Sequence, residues 1–172
     1  MQEVIITVEF KRPCLGAAKR QQGKCKVFMF ERDSDGRVLF LSSHWHALMG
    51  RAASTANRYH SLVKHIAWDP SVVGKPASEW FRRTAVTSGT NRSFFVSHEA
   101  FYPGSRVAVS AVLPDGIHAD DFWRLLAIVG KYWGYSPYNN QTDRYGTFDV
   151  VSIRGRDRQW IAPEDCEQSD VR

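Results

Sequence analysis

Between Asp120 and Ile153 three patterns follow one another without a break: a helix period, a glycine-marked loop and a strand period. Asp120 to Lys131 repeats its apolar residues every three or four positions and opens on two acids, which suit a helix N-terminus. Gly134 to Tyr145 carries three Tyr, Asn139, Asn140, Gln141 and one Arg, and Thr147 to Ile153 then reads as a strand. A helix that delivers a glycine-marked loop into a strand puts backbone amides and aromatic rings at a sheet edge.

The remaining patterns supply the order of elements. Residues 2–10 alternate apolar and polar and read as a strand. Residues 25–31 and 37–41 flank Asp33-Ser34-Asp35-Gly36, a strong hairpin signal. Ser43 is placed to cap a helix to about Ile66, with Trp45, Leu48, Met49, Ala52, Ala53, Ala56, Tyr59, Leu62, Val63 and Ile66 at helical spacing. Residues 67–92 are read as irregular, with a short helix around Ser78–Arg83. Phe94–Phe101 and Arg106–Leu113 are strands joined by the turn Tyr102-Pro103-Gly104-Ser105. The expectation is an α+β chain with a ferredoxin-like βαββαβ fold, RRM-like, an antiparallel sheet with two helices on one face and an inserted β-hairpin. It forms a single domain over 1–160, with the hairpin at about 25–41 and an irregular flap at about 67–92. A flexible acidic tail follows at 161–172, since Glu164 to Arg172 holds four acids.

Charge narrows the function. The formal net charge is +5, and a basic loop is expected between Lys11 and Lys26, with Lys11, Arg12, Lys19, Arg20, Lys24 and Lys26 and no acid. Such a run attracts polyanions. Apolar residues at 43% exclude disorder for most of the chain. No apolar run approaches the ~18 residues that cross a bilayer, and the N-terminus alternates without a basic region, so a strand and not a signal peptide is expected. A cytoplasmic protein without a membrane partner follows. Cys14, Cys25 and Cys166 are odd in number and lack CxxC spacing, which favours reduced thiols.

His44, Arg51, Arg58 and His65 recur every seven residues, so on one continuous helix they would form a basic edge. No His pair has the i, i+4 spacing of a helical zinc site; neither a metal nor another cofactor is expected. His44, His46 and His98 are the candidates for acid/base work, because imidazole titrates near neutral pH. Asp120 and Asp121 are accounted for by the helix start, and no P-loop, GxSxG or HExxH occurs. Tyr135, Tyr138 and Tyr145 offer stacking to bases, and Arg144 a planar charge. Arg82-Arg83 to Arg92 make a second basic segment.

Two segments carry a family resemblance. Val38-Leu39-Phe40-Leu41-Ser42-Ser43-His44-Trp45-His46-Ala47-Leu48-Met49-Gly50-Arg51 is similar to the strand, turn and helix entry of the repeat-associated mysterious protein (RAMP) superfamily. The helix, Gly134 loop and Tyr145-Gly146-Thr147-Phe148 resemble its glycine-rich loop before the last strand. The resemblance implies binding of guide RNA or another single strand, as a homo-oligomer or within a CRISPR-type protein complex. The leading expectation is a non-enzymatic binder of single-stranded RNA or DNA, RNA before DNA. Phosphates would meet Lys11, Arg12, Lys19, Arg20, Lys24, Lys26, Arg51 and Arg58. Two alternatives stay open: a metal-independent guide-RNA-processing endoribonuclease using His44 or His46, and a protein-binding inhibitor that mimics or caps a CRISPR effector subunit.

Overall fold

The computed structural model describes residues 1–22, 25–86, 89–138 and 143–155. In chain order its elements are β1 (Gln2–Phe10), β2 (Cys14–Leu15), β3 (Ala18–Gln22), β4 (Cys25–Met29), β5 (Glu31–Arg32), β6 (Val38–Leu39), α1 (Ser42–Ala56), β7 (Ala67–Trp68), β8 (Glu79–Val86), β9 (Ser93–Phe101), β10 (Arg106–Leu113), α2 (Ala119–Tyr132) and β11 (Phe148–Gly155).

A central antiparallel sheet runs in the order β11-β1-β10-β7. Its strands alternate because one face is sealed and the other is not. Val4, Ile6, Val8 and Phe10 of β1 and Val107, Val109, Ala111 and Leu113 of β10 are buried. Onto that face α1 turns Trp45, Leu48, Met49, Ala52 and Ala53, and α2 turns Phe122, Leu125, Leu126 and Val129. Among the described residues the fold is therefore α+β, with mainly antiparallel sheets and two α-helices. No helix among the described residues is long and apolar enough to cross a membrane.

A second sheet stands beside the first, in the order β2-β9-β4-β3, with β8 also paired to β9. The β4–β9 contact is parallel; the others are antiparallel. Aromatic rings join the two sheets. Phe101 of β9 stacks on Phe10 of β1 at 6.1 Å and on Phe30 at 4.7 Å. Cys14 is buried there too, and burial pushes its thiol well up.

Several expectations need correction. The neighbour of β10 is the short β7, not the strand ending at Phe101. The turn at 102–105 is tied to the end of β1, with Gly104 N donating to Phe10 O (2.8 Å) and Phe10 N to Ser105 O (3.0 Å). β9 is thereby sent into the second sheet, where β8, β4 and β2 meet its backbone. The first helix stops at Ala56 and not at Ile66. Asn57 takes the left-handed conformation at φ 51, which amide side chains tolerate, and Arg58 N then closes on Ala53 O. The helix also starts without Ser43 as its cap; Leu41 holds that position, and Ser42 Oγ donates to Trp68 O. The basic stretch predicted as a loop contains β2, β3 and the start of β4. Its strand β4 pairs with β3, so the Asp-Gly turn joins only Glu31–Arg32 to Val38–Leu39. Ser78–Arg83 is mostly strand β8, since each residue from Glu79 finds a partner on β9. The acidic tail and residues 139–142 lie outside the described residues.

Candidate nucleic-acid interface

The loop from α2 to β11 is pinched at its base. Gly134 and Gly146 meet so closely that a Cβ on Gly134 would lie 2.4 Å from the Gly146 carbonyl carbon. Tyr135 N donates to Gly146 O (2.9 Å), and Gly146 N donates to Pro13 O (2.8 Å). The pinch drives Tyr135 inward. Its ring stacks on Phe40 at 4.0 Å and touches Trp45 and His44, leaving it 6% exposed. Tyr135 thus supports the core and presents no face to a base. Tyr138 is half-buried against Phe28 and His98, and Tyr145 leans on Phe81 of β8.

Beside that loop, β8 and β9 run on past the β4 contact, so the end that carries Phe94 and Phe95 is a two-stranded ribbon. Phe94 and Phe95 are adjacent in a strand, so they must face opposite ways. Both are largely exposed, at 49% and 64%, so this end of the ribbon is open on both faces. The register pairs Trp80 with Glu99, Arg82 with Ser97 and Thr84 with Phe95, which puts Trp80, Arg82 and Phe95 on one face. The Arg82 guanidinium lies 3.9 Å above the Phe95 ring, and Trp80 is half exposed nearby.

The opposite face holds Phe81, Arg83 and His98. His98 Nδ1 lies 2.9 Å from Gly16 O, which can only accept, so Nδ1 carries the proton. Nε2 then accepts from Arg83 Nε at 3.0 Å. Burial lowers the pKa of His98; the Gly16 carbonyl opposes this and the Arg83 charge adds to it. The neutral ring orients Arg83, whose guanidinium also sits 4.6 Å over Tyr138.

Of the residues singled out from the sequence, Lys19 and Arg20 are exposed on β3 of this second sheet, with Arg20 paired to Glu31 (2.8 Å). Arg144 is exposed next to Tyr145. These join Tyr138, Arg82 and Arg83 around one sheet. Arg12 is exposed just before β2. Lys11 belongs to the central sheet and is held by Asp149 (2.9 Å) and Glu9 (3.5 Å). Arg51 is exposed on α1, whereas Arg58 lies past its end, near the Tyr59–Asp121 hydrogen bond. Because the helix ends at Ala56, the seven-residue row does not form a continuous edge. Lys24 lies outside the described residues, and of Lys26 only the backbone is described.

The histidines are separately engaged. His46 Nε2 donates to Ile66 O at 2.7 Å. Burial lowers the pKa of His44 despite its hydrogen bond to the Tyr135 backbone. Among the described residues no group of three or more His, Cys, Asp or Glu is placed to hold a metal ion. Trp80 and Phe95 were not singled out from the sequence. The adjacent Phe94-Phe95 pair was the available signal, because alternation cannot bury both rings in one face.

No family model and no curated protein matches the sequence. In fold the chain is similar to a chain in the cryo-EM structure of the Type III-B Cmr-beta bound to cognate target RNA, at TM-score 0.66 and 9% identity. The match covers 90% of the present chain and 60% of that one.

Proposed function

We propose that this protein is a non-enzymatic binder of single-stranded nucleic acid, RNA before DNA, on a ferredoxin-like RAMP-type domain spanning residues 1–160. It works in a CRISPR-type protein complex or as a homo-oligomer along the strand. The ferredoxin-like part is supported by the central sheet. β1, α1, β7, β10, α2 and β11 follow as βαββαβ, and β10 lies between β1 and β7, as a split βαβ unit requires. The RNA part is supported by the likeness in fold to a chain of an RNA-bound structure.

The observation that carries the reading is the ribbon face with Arg82 stacked on exposed Phe95 beside Trp80. Rings left in solvent with a planar cation above them suit bases, and stacking contributes about 1–3 kcal/mol per base. Arg12, Lys19, Arg20, Arg51 and Arg144 would meet phosphates, with Tyr138 and Tyr145 as partly open rings. The endoribonuclease alternative draws no support from His46, whose ring is committed to Ile66 O.

Fluorescence anisotropy of a labelled single-stranded RNA over a salt series tests this. Pairing of four to six phosphates gives a log–log slope of roughly −3 to −4. Phe95→Ala is expected to weaken binding about tenfold while leaving the denaturation midpoint in place, since the ring supports no core contact. A flat salt response together with unchanged affinity in the variant would refute the proposal.

A further inference from the structure

Arg82 and Arg83 are neighbours in β8, so they face opposite ways. Arg82 belongs to the face with Trp80 and Phe95; Arg83 lies on the other, where different groups hold it. Its Nε donates to His98 Nε2 at 3.0 Å, and its guanidinium sits 4.6 Å over the Tyr138 ring. His98 is buried and fixed from behind, with Nδ1 donating to Gly16 O at 2.9 Å and its ring stacked on Phe28 at 5.0 Å. One edge and one face of Arg83 are thus occupied by groups that are themselves held in place.

Neither bonded partner carries a negative charge. Other arginines around the second sheet differ: Arg20 pairs with Glu31, Arg32 with Glu99, and Arg37 with Asp33 and Asp35. Among the described residues no ion pair includes Arg83. Arg83 is nevertheless partly withdrawn from water. A cation placed so, with neutral partners alone, is relieved by an anion from outside. The bond to His98 uses the Nε edge, and the Tyr138 hydroxyl draws on the guanidinium as well. The terminal nitrogens still keep donors to spare, in the fork that matches two oxygens of a phosphate.

Resting on the single-strand reading above, we propose that Arg83 grips one backbone phosphate of the bound strand, with His98 as its positioning residue. Among the described residues β8 pairs only with β9, so its outer edge is open. A strand that crosses this edge meets the Phe95 ring on one face and Arg83 on the other. The choice of a neutral imidazole follows from that task. It turns the fork without cancelling its charge, whereas a carboxylate in its place would do both.

Anisotropy of a labelled oligo(U) over a salt series tests this by comparing Arg83→Gln with Arg37→Gln. Both variants lower the net charge equally, so only the local contact separates them. Arg83→Gln is expected to weaken binding about tenfold and to make the log–log slope shallower by about 0.7, the share of one phosphate on a single strand. Arg37→Gln is expected to leave both unchanged, since Asp33 and Asp35 already meet that charge. His98→Phe keeps a ring beside Phe28 and Tyr138 but removes the acceptor. It is expected to weaken binding about fivefold in the unaltered protein and to add nothing in the Arg83→Gln background. If Arg83→Gln matches Arg37→Gln in affinity and slope, the phosphate assignment is overturned and strand binding stands. If His98→Phe costs as much without Arg83 as with it, the positioning role is overturned. Failure of the unaltered protein to bind oligo(U) overturns the single-strand reading itself.

Discussion

Gly134→Ala is expected to destabilise the protein by about 2–5 kcal/mol, a large share of the ~5–15 kcal/mol that holds a domain folded. Two costs add. Gly134 sits at φ +65, where a side chain costs about 1–2 kcal/mol. The new Cβ would also lie 2.4 Å from the Gly146 carbonyl carbon and 2.5 Å from Thr147 N. Those are backbone atoms, so no rotamer change relieves the clash, and overpacking of this kind costs about 1–3 kcal/mol. Relief by movement is blocked as well, because Gly146 N and Thr147 O are bonded to Pro13 and Lys11. Gly36→Ala is the control: its φ is +77, but nothing lies within 4 Å of the added atom, so only the conformational cost applies. Denaturant unfolding followed by tryptophan fluorescence should separate the two variants clearly. Equal midpoints would show that the pinch carries no contact energy.

Some of this chain is legible in its sequence and some is not, for separate physical reasons. β1, β10 and α2 begin and end within a residue or so of expectation, because one sealed face imposes a period on each. α1 could be read at its start but not at its end. Tyr59, Leu62, Val63 and Ile66 continue the helical spacing, yet Val63 and Ile66 reach the core from a separate short 3₁₀ turn. Asn57 was the local stop signal, and spacing outweighed it. The second sheet was hidden for another reason. β2 and β3 are short and run through a basic segment, and two of the partners of β9, β2 and β4, lie more than sixty residues before it in the chain. Nearness in sequence made Arg106–Leu113 look like the partner of Phe94–Phe101. At the candidate interface, three tyrosines of one loop looked alike, but the glycine contact sends Tyr135 inward while Tyr138 and Tyr145 lie against the second sheet. Trp80, Arg82 and Phe95 form a group only once the β8–β9 register places them on one face.

Glu99→Ala is expected to cost about 2–4 kcal/mol, because one substitution strands donors on three residues. Glu99 is 5% exposed and accepts from Phe30 N (3.0 Å), from Ser78 Oγ (2.6 Å) and from both terminal nitrogens of Arg32, in a bidentate pair. Arg32 keeps about a third of its side chain in solvent, which holds the loss below that of a fully buried pair. Replacing both partners, as in the double variant Glu99→Leu/Arg32→Leu, should recover part of the loss, since no charge is then left buried alone. Acid provides an independent reading. Burial alone would raise the Glu99 pKa, but the hydrogen bonds from Arg32, Ser78 and Phe30 and the charge of Arg32 outweigh it and hold the carboxyl below its usual range. A depressed folded pKa contributes stability above the unfolded value of about 4.3 and loses it as pH falls through the folded value. Between about pH 5 and about pH 3 the unaltered protein should therefore lose more stability than Glu99→Gln. Parallel decline in both would show that this carboxylate is not held by its partners. The position also ties structure to function: Glu99 fastens β9 to β5 and to Ser78 at the root of β8. Loosening it should weaken the proposed RNA binding without touching Trp80, Arg82 or Phe95, because the rings lose the rigid ribbon that holds them on one face.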